Sequence, residues 1–362
     1  MNKGERLLYV DVLKICSAWL VIYCHLPAYH YSFEHHNQYQ IFFMIISMFA
    51  RLCVPVFFMC SGILLLDKEE SWPDVFRKRV LKVILTILVF GAVYYLLTAS
   101  RGGYGDTITP SPWHFITLIV RNEIDGAYWY LYAYLGFLFV LPIVRRGVRQ
   151  ITASEIRVLL VIHFVTSSAV PIINLILDSL AGPDNIYRLS VPEPFSVPFA
   201  MTRAFFYPVL GYFIDSRVDT EKIKTRHIVL MFFTLALCIA ISCICTLAEG
   251  SLTGVYTQNY VLLFDYVIAF IVFLLVKRIL QRRQFRRPGI PRRINAFAQL
   301  TYGIYLLDPI LRLLIYREVY GAATVMFDTF TSSVLWCCFS MLLGGLLTAL
   351  LRKTPVKTIC GL

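Results

Sequence analysis

The sequence predicts an all-α polytopic membrane protein, a bundle of about ten transmembrane helices with both termini in the cytoplasm. Three observations carry this: the composition, the length of the apolar runs, and the placement of positive charge. The 362-residue chain is 58% apolar and 15% charged, with a mean hydropathy of +0.67, whereas soluble domains run near 45–50% and ~25%. Crossing roughly 30 Å of hydrocarbon takes about 20 mainly apolar residues. Ten runs qualify, at 8–28, 41–66, 79–98, 128–144, 156–178, 198–215, 227–248, 258–276, 296–315 and 330–351. Of the 34 Lys and Arg, 25 fall on alternate connections and the two ends, while the opposite loops hold Arg101, Arg121, Arg188 and Arg317. That asymmetry orients the bundle by the positive-inside rule. It predicts outer loops around 101–127 and 179–197 and a cytoplasmic 277–293 loop.

The connections are short, so the chain reads as one membrane domain over 1–362 with no appended soluble domain. The start MNKGERLLYVDVLK is basic but lacks a small-residue cleavage site after its apolar run, which predicts a retained first helix. The net charge of +12 is then mainly topological. The Arg-rich 277–293 loop lacks interleaved aromatics, and no nucleic-acid partner is expected; the lipid bilayer is. None of the ten cysteines falls in a predicted outer loop, so no disulfide framework is implied. Cys243-x-Cys245 and Cys337-Cys338 have no histidine near in sequence and read as small apolar packing, so no metal is expected.

Ionisable residues inside spans mark internal pairs or functional sites. The first span holds Asp11, Lys14 and His25. Eleven positions separate Lys14 from His25, so on a helix they differ by about 20° in direction and roughly 16 Å in height. One polar face therefore runs from the cytoplasmic to the outer end, with Asp11 one turn before Lys14. The second span reads ARLCVPVFFMCSGILLL, with Arg51 near mid-membrane and Pro55 interrupting the backbone ladder. An arginine there keeps its charge and needs an anionic partner or a wet cavity; a purely structural salt bridge with Asp308 or Asp265 is the alternative to a functional role. The third span opens with Arg79 and Lys82, the sixth carries Arg203, the eighth Asp265, and the ninth Asp308 and Arg312. Ser61 lacks the G-x-S-x-G elbow, and His35-His36 reads as a solvated loop.

Five stretches then occur in a telling order: YVDVLKICSAWLVIYCH, RLCVPVFFMCSGILLL, YWYLYAYLGFLFVLP, FFYPVLGYFI and LTYGIYLLDP. Together the chain resembles acyltransferase family 3 along essentially its whole length, most closely the short bacterial members. The resemblance implies a multi-pass protein of the plasma or inner membrane. It implies an acyl-CoA donor, usually acetyl-CoA, entering from the cytoplasm, and a sugar hydroxyl as acceptor on a cell-surface glycan or its glycolipid precursor. His25 matches the family's helix-one histidine, to which catalysis is assigned, and Arg51 the arginine before the V-P-x-F-F proline. Asp11 matches the aspartate of D-x-L-R, with Lys14 in place of the arginine. Arg79 and Lys82 match the basic pair opening helix three, again with lysine second. Tyr128 and Asp308 stand where many members carry histidine.

Chemistry and resemblance meet at His25. A sugar hydroxyl is a poor nucleophile at pH 7, and an imidazole of pKa near 6.5 suits the removal of its proton. The expected site has His25 as general base, Arg51 or a helix-end amide facing the oxyanion, and Asp308 or Asp265 orienting the imidazole, with a covalent acetyl-histidine route as the alternative. Asp11, Lys14, Arg79 and Lys82 are expected at the donor, whose phosphates a cytoplasmic basic cluster with Arg77 and Lys78 would hold. For Arg77 and Lys78 topogenic charge is the alternative. A succinyl or other acyl donor, a transporter or flippase, and a non-catalytic membrane module are the competing readings, and homo-oligomerisation is left open. The transporter is weakened by the lack of an inverted repeat.

Overall fold

The computed structural model describes residues 8–104, 110–183, 185–190, 203–282 and 289–362, and leaves out the side chains of 203 and 282. The basic N-terminal stretch, 283–288 of the Arg-rich loop, parts of both predicted outer loops and the Arg203 side chain lie outside the described residues. Among the described residues all regular structure is helical.

In chain order the helices are α1 (Leu8–Cys24), α2 (Pro27–Glu34), α3 (Gln40–Ala50), α4 (Cys53–Leu65) and α5 (Trp72–Ser100). Next come α6 (Pro112–Arg121), α7 (Trp129–Val148), α8 (Ala153–Ala181), α9 (Arg203–Arg217) and α10 (Thr225–Thr253). The last are α11 (Asp265–Arg282), α12 (Gly289–Ala298), α13 (Thr301–Met326), α14 (Thr329–Leu351) and α15 (Val356–Cys360). Among the described residues each predicted span overlaps helix, with turns inside several of them. Among the described residues seven stretches are long and apolar enough to cross a membrane, or eight if the bent pair α1 and α2 counts as one. The shortfall from ten has physical causes. The described part of α9 is 15 residues long, and α13 carries Asp308, Arg312, Arg317 and Glu318.

Proline breaks one predicted span and loosens a second. Pro27 biases Leu26 away from helical backbone, and Leu26 is extended at φ −113° and ψ 156°. The chain bends by 54° between α1 and α2, so the run predicted at 8–28 is a broken helix with His25 in the break. His25 N–H closes the last turn on the Ile22 carbonyl at 3.1 Å. Pro55 has no N–H to offer the Arg51 carbonyl one turn earlier, and Arg51-Leu52 form the turn between α3 and α4.

The chain divides into two compact units. The first, Met1–Asp67 with Gly147–Pro288, holds α1 to α4 and α8 to α11. Its helices α4 and α9 cross at backbone contact, because Gly62 lies against the Pro208 backbone and Gly211 against that of Met59. Helix α1 packs on α4 and α11, where Tyr9 meets Phe273 edge-on at 5.8 Å. The second unit, Lys68–Arg146 with Gly289–Leu362, holds α5 to α7 and α12 to α15. Here α13 and α14 lie side by side: Tyr316 meets Trp336 at 5.0 Å, and the Tyr320 and Ser333 hydroxyls are 3.3 Å apart.

The close crossing of α4 and α9 is testable. A Cβ on Gly62 would lie 1.9 Å from the Pro208 oxygen, and one on Gly211 2.4 Å from the Met59 oxygen. Backbone cannot swing aside as a side-chain tip can, so Gly62→Ala and Gly211→Ala should each cost about 1–3 kcal/mol. Thermal unfolding in detergent should show both melting earlier than the parent, while Gly136→Ala, with open space around the new methyl, melts no earlier.

Candidate active site

In the first unit, polar groups gather where α1 breaks and α3 gives way to α4. Arg51 is half-buried, with its guanidinium carbon 5.3 Å from the centre of the Tyr29 ring, in cation–π range. Its Nη2 donates to Gln258 Oε1. The same oxygen accepts from the Tyr29 hydroxyl at 2.9 Å, and Gln258 Nε2 lies 3.3 Å from His30 Nδ1. Ser47 donates to the Tyr29 carbonyl at 2.8 Å and ties α2 to α3. His25, also half-buried, and Arg51 both act electrostatically on His30. The two residues expected at the chemistry therefore share one neighbourhood.

The alternative reading of Arg51, a structural salt bridge with Asp308 or Asp265, is not what the described residues show. The side chain is held by a neutral amide and an aromatic face, and its Nε–H is buried with no hydrogen-bond partner among the described residues. Asp265, 5% exposed, opens α11 in the same unit. Gln258 could not be singled out from sequence, because a neutral residue at the start of an apolar run carries no charge signal.

Lower on α1, Asp11 is buried and Lys14 half-buried, and both act electrostatically on Cys60 of α4. Tyr9 donates to Asp215 at the end of α9. Beside it Lys277, read from sequence as topogenic charge, is buried. Its ammonium donates to the carbonyls of Ile214 at 2.7 Å, Asp215 at 3.0 Å and Val218 at 3.1 Å, closing the negative end of α9. The adjoining cleft of about 520 Å³, with Asp215, Asp219, Glu221 and Lys277 on its walls, contains none of the expected site residues.

In the second unit, Asp308 is fully buried and committed to Arg312, Oδ2 to Nε at 3.1 Å. Arg312 also reaches Asp125 at 3.3 Å. Asp125 accepts from Ala127 N–H at 2.8 Å, while the Tyr305 hydroxyl donates to the Ala127 carbonyl at 2.6 Å. Tyr128 donates to the Leu306 carbonyl at 3.2 Å. Tyr128 and Asp308 thus adjoin one another, and a charge network of two aspartates and an arginine stands there.

The predicted donor residues Arg79 and Lys82 also belong to the second unit. Arg79 sits in a π-turn, Phe76–Val80, at the start of α5. Its Nε and Nη2 donate to the two oxygens of Glu70 at 3.0 and 2.8 Å, and Arg145 donates to Glu70 at 2.7 Å. Lys68 acts electrostatically on all three. Lys82 is half-buried, its stem beside Gly361. Arg77 and Lys78 are exposed, and Lys78 pairs with Asp74 at 2.9 Å on the surface, where such a pair adds little. Glu70 and Arg145 were missed because their meeting is tertiary.

A protein-family model described as an acyltransferase domain matches residues 7–351, nearly the whole chain. No curated protein and no solved structure gives a match.

The Glu70 cluster predicts an acid limb of stability. Hydrogen bonds from Arg79, with those from Arg145, hold the Glu70 carboxyl at about 2 against an ordinary 4.5. A depressed folded-state pKa contributes stability that is fully present above the unfolded value and is lost as pH falls toward the folded one. The melting temperature should therefore drop between pH 4.5 and 2, and Glu70→Gln should flatten part of that slope.

Proposed function

Because the chain belongs to acyltransferase family 3, and is thus a membrane acyltransferase, we propose that it moves an acetyl group from acetyl-CoA to a hydroxyl of a cell-surface glycan or its lipid-linked precursor. His25 is the general base. The reading places the protein in the inner membrane, with the donor arriving from the cytoplasm.

The observation that carries this reading is the buried Nε–H of Arg51, without a hydrogen-bond partner among the described residues, in the neighbourhood of His25. A buried donor without an acceptor costs about 1–3 kcal/mol, and a developing oxyanion is the acceptor that recovers it. In the proposed step the His25 imidazole takes the proton of the sugar hydroxyl as its oxygen attacks the thioester carbonyl carbon. Negative charge passes to the carbonyl oxygen, facing Arg51, whose position does not have to reorganise because Gln258 and Tyr29 already hold it. Collapse of the tetrahedral species breaks the carbon–sulfur bond, and the departing thiolate takes the proton from His25. Of the two carboxylates expected to orient the imidazole, Asp265 belongs to the unit of His25, whereas Asp308 is engaged by Arg312.

The donor end of the reading rests on Asp11, Lys14, Arg79 and Lys82. Helix α1 runs unbroken from Lys14 to Cys24, so its rise to His25 stays at roughly 16 Å, a length the pantetheine arm can cover. Turnover of radiolabelled acetyl-CoA by the purified protein with a panel of glycolipids tests the activity. In steady-state kinetics, Lys14→Ala should chiefly raise KM for acetyl-CoA, and His25→Ala should cut kcat by about 10²–10⁴-fold with donor affinity nearly intact. Near-normal turnover in folded His25→Ala would remove the general base and with it the mechanism.

A further inference from the structure

Two imidazoles, His25 and His30, share the neighbourhood of Arg51, and the hydrogen bonds of Gln258 decide what one of them can do. A guanidinium has only donors to offer, so the Gln258 atom that meets Arg51 Nη2 is the carbonyl oxygen Oε1. The Tyr29 hydroxyl donates to the same oxygen at 2.9 Å and fills its second lone pair. With the amide so oriented, Gln258 Nε2 stands 3.3 Å from His30 Nδ1. An amide nitrogen donates and does not accept. His30 Nδ1 is therefore the bare, accepting nitrogen of a neutral ring, and the ring proton is on Nε2. Among the described residues, the charged and titratable groups acting on His30 are Glu34 on its own helix α2, His25 in the break after α1, and Arg51 between α3 and α4.

Gln258 is itself held from both sides. It follows α10 in the first unit, and Glu249 near the end of that helix grips its two neighbours. Glu249 Oε2 accepts from the Thr257 N–H at 3.2 Å and the Thr257 hydroxyl at 2.7 Å, and Oε1 accepts from Asn259 Nδ2 at 3.3 Å. One carboxylate thus pins the chain before and after Gln258.

Building on acyl transfer at His25, we propose that Gln258 and Glu249 are positioning residues: Gln258 holds the Arg51 guanidinium in place and locks His30 as the neutral Nε2–H imidazole, and Glu249 fixes the loop that presents Gln258. A general base needs a bare nitrogen within reach of the hydroxyl, and on His30 that nitrogen is taken. His25 is then the base of the pair, with His30 a hydrogen-bond donor beside it.

The test uses the full chain in detergent with ¹⁵N-labelled histidine, His30 being identified by the signal lost in His30→Asn. Ring-nitrogen chemical shifts report which nitrogen carries the proton. In the parent, near neutral pH, His30 should be the Nε2–H form. Gln258→Glu replaces the amide donor by an acceptor, so His30 should carry a proton on Nδ1. The new carboxylate beside Arg51 should also cut kcat about 10²-fold, with KM for acetyl-CoA within about twofold. Glu249→Ala should leave His30 a mixture of the two neutral forms and lower kcat about tenfold. Glu249→Gln, whose amide oxygen still accepts from Thr257, should recover most of that loss. If Gln258→Glu does not fold, the two Glu249 variants decide the matter by the same readouts. A parent His30 protonated on Nδ1, a tautomer that does not respond in the folded variants, or a loss confined to KM would overturn the proposal. A parent with the Nε2–H form, inverted in Gln258→Glu, that does not turn over acetyl-CoA would end acyl transfer at His25 and leave the Gln258 lock on His30 standing.

Discussion

Hydrocarbon offers no hydrogen bonds, so each helix break and each buried charge must find its partners inside the protein. Both breaks at the candidate site follow from that constraint acting on proline. Pro27 ends α1 and turns the chain by 54°, and Pro55 leaves the turn at Arg51-Leu52 between α3 and α4. A continuous α1 would carry His25 on as one more helical residue; the break sets it in a turn. The same logic brings Tyr29, on the short α2, under the Arg51 guanidinium. Breaks that cost backbone hydrogen bonds are tolerable because Ser47 and Gln258 tie the pieces together.

The buried charges are met in two ways, and the difference bears on function. Lys277 is surrounded by three carbonyls at a helix end, and Arg312 lies between two aspartates. Both are satisfied, which is what a structural charge requires. Arg51 instead has a neutral amide, a ring face and one idle donor. A carboxylate against Arg51 would already neutralise the charge that an oxyanion is to use, so a neutral partner suits electrostatic stabilisation better than the ion pair the sequence suggested.

Asp308 and Tyr128, 180 residues apart in sequence, adjoin in the second unit. Arg312, one turn beyond Asp308, and Asp125 complete the charge network there.

The sequence by itself determined the all-helical membrane fold class and the residues that cannot sit idle in hydrocarbon, because apolar length and buried charge are local properties with large free energies. His25, Arg51, Lys14, Arg79 and Asp308 were legible for that reason, and the order of five motifs was enough to mark the family. Only the tertiary structure decided who meets whom. Arg51 and Gln258 are 207 positions apart, and Glu70 and Arg145 are 75 apart. Gln258 is neutral, and Arg145 and Lys277 look like any topogenic charge at a span end, so nothing in the linear pattern distinguishes them. Their roles come from desolvation and hydrogen-bond geometry, which exist only once the helices have packed.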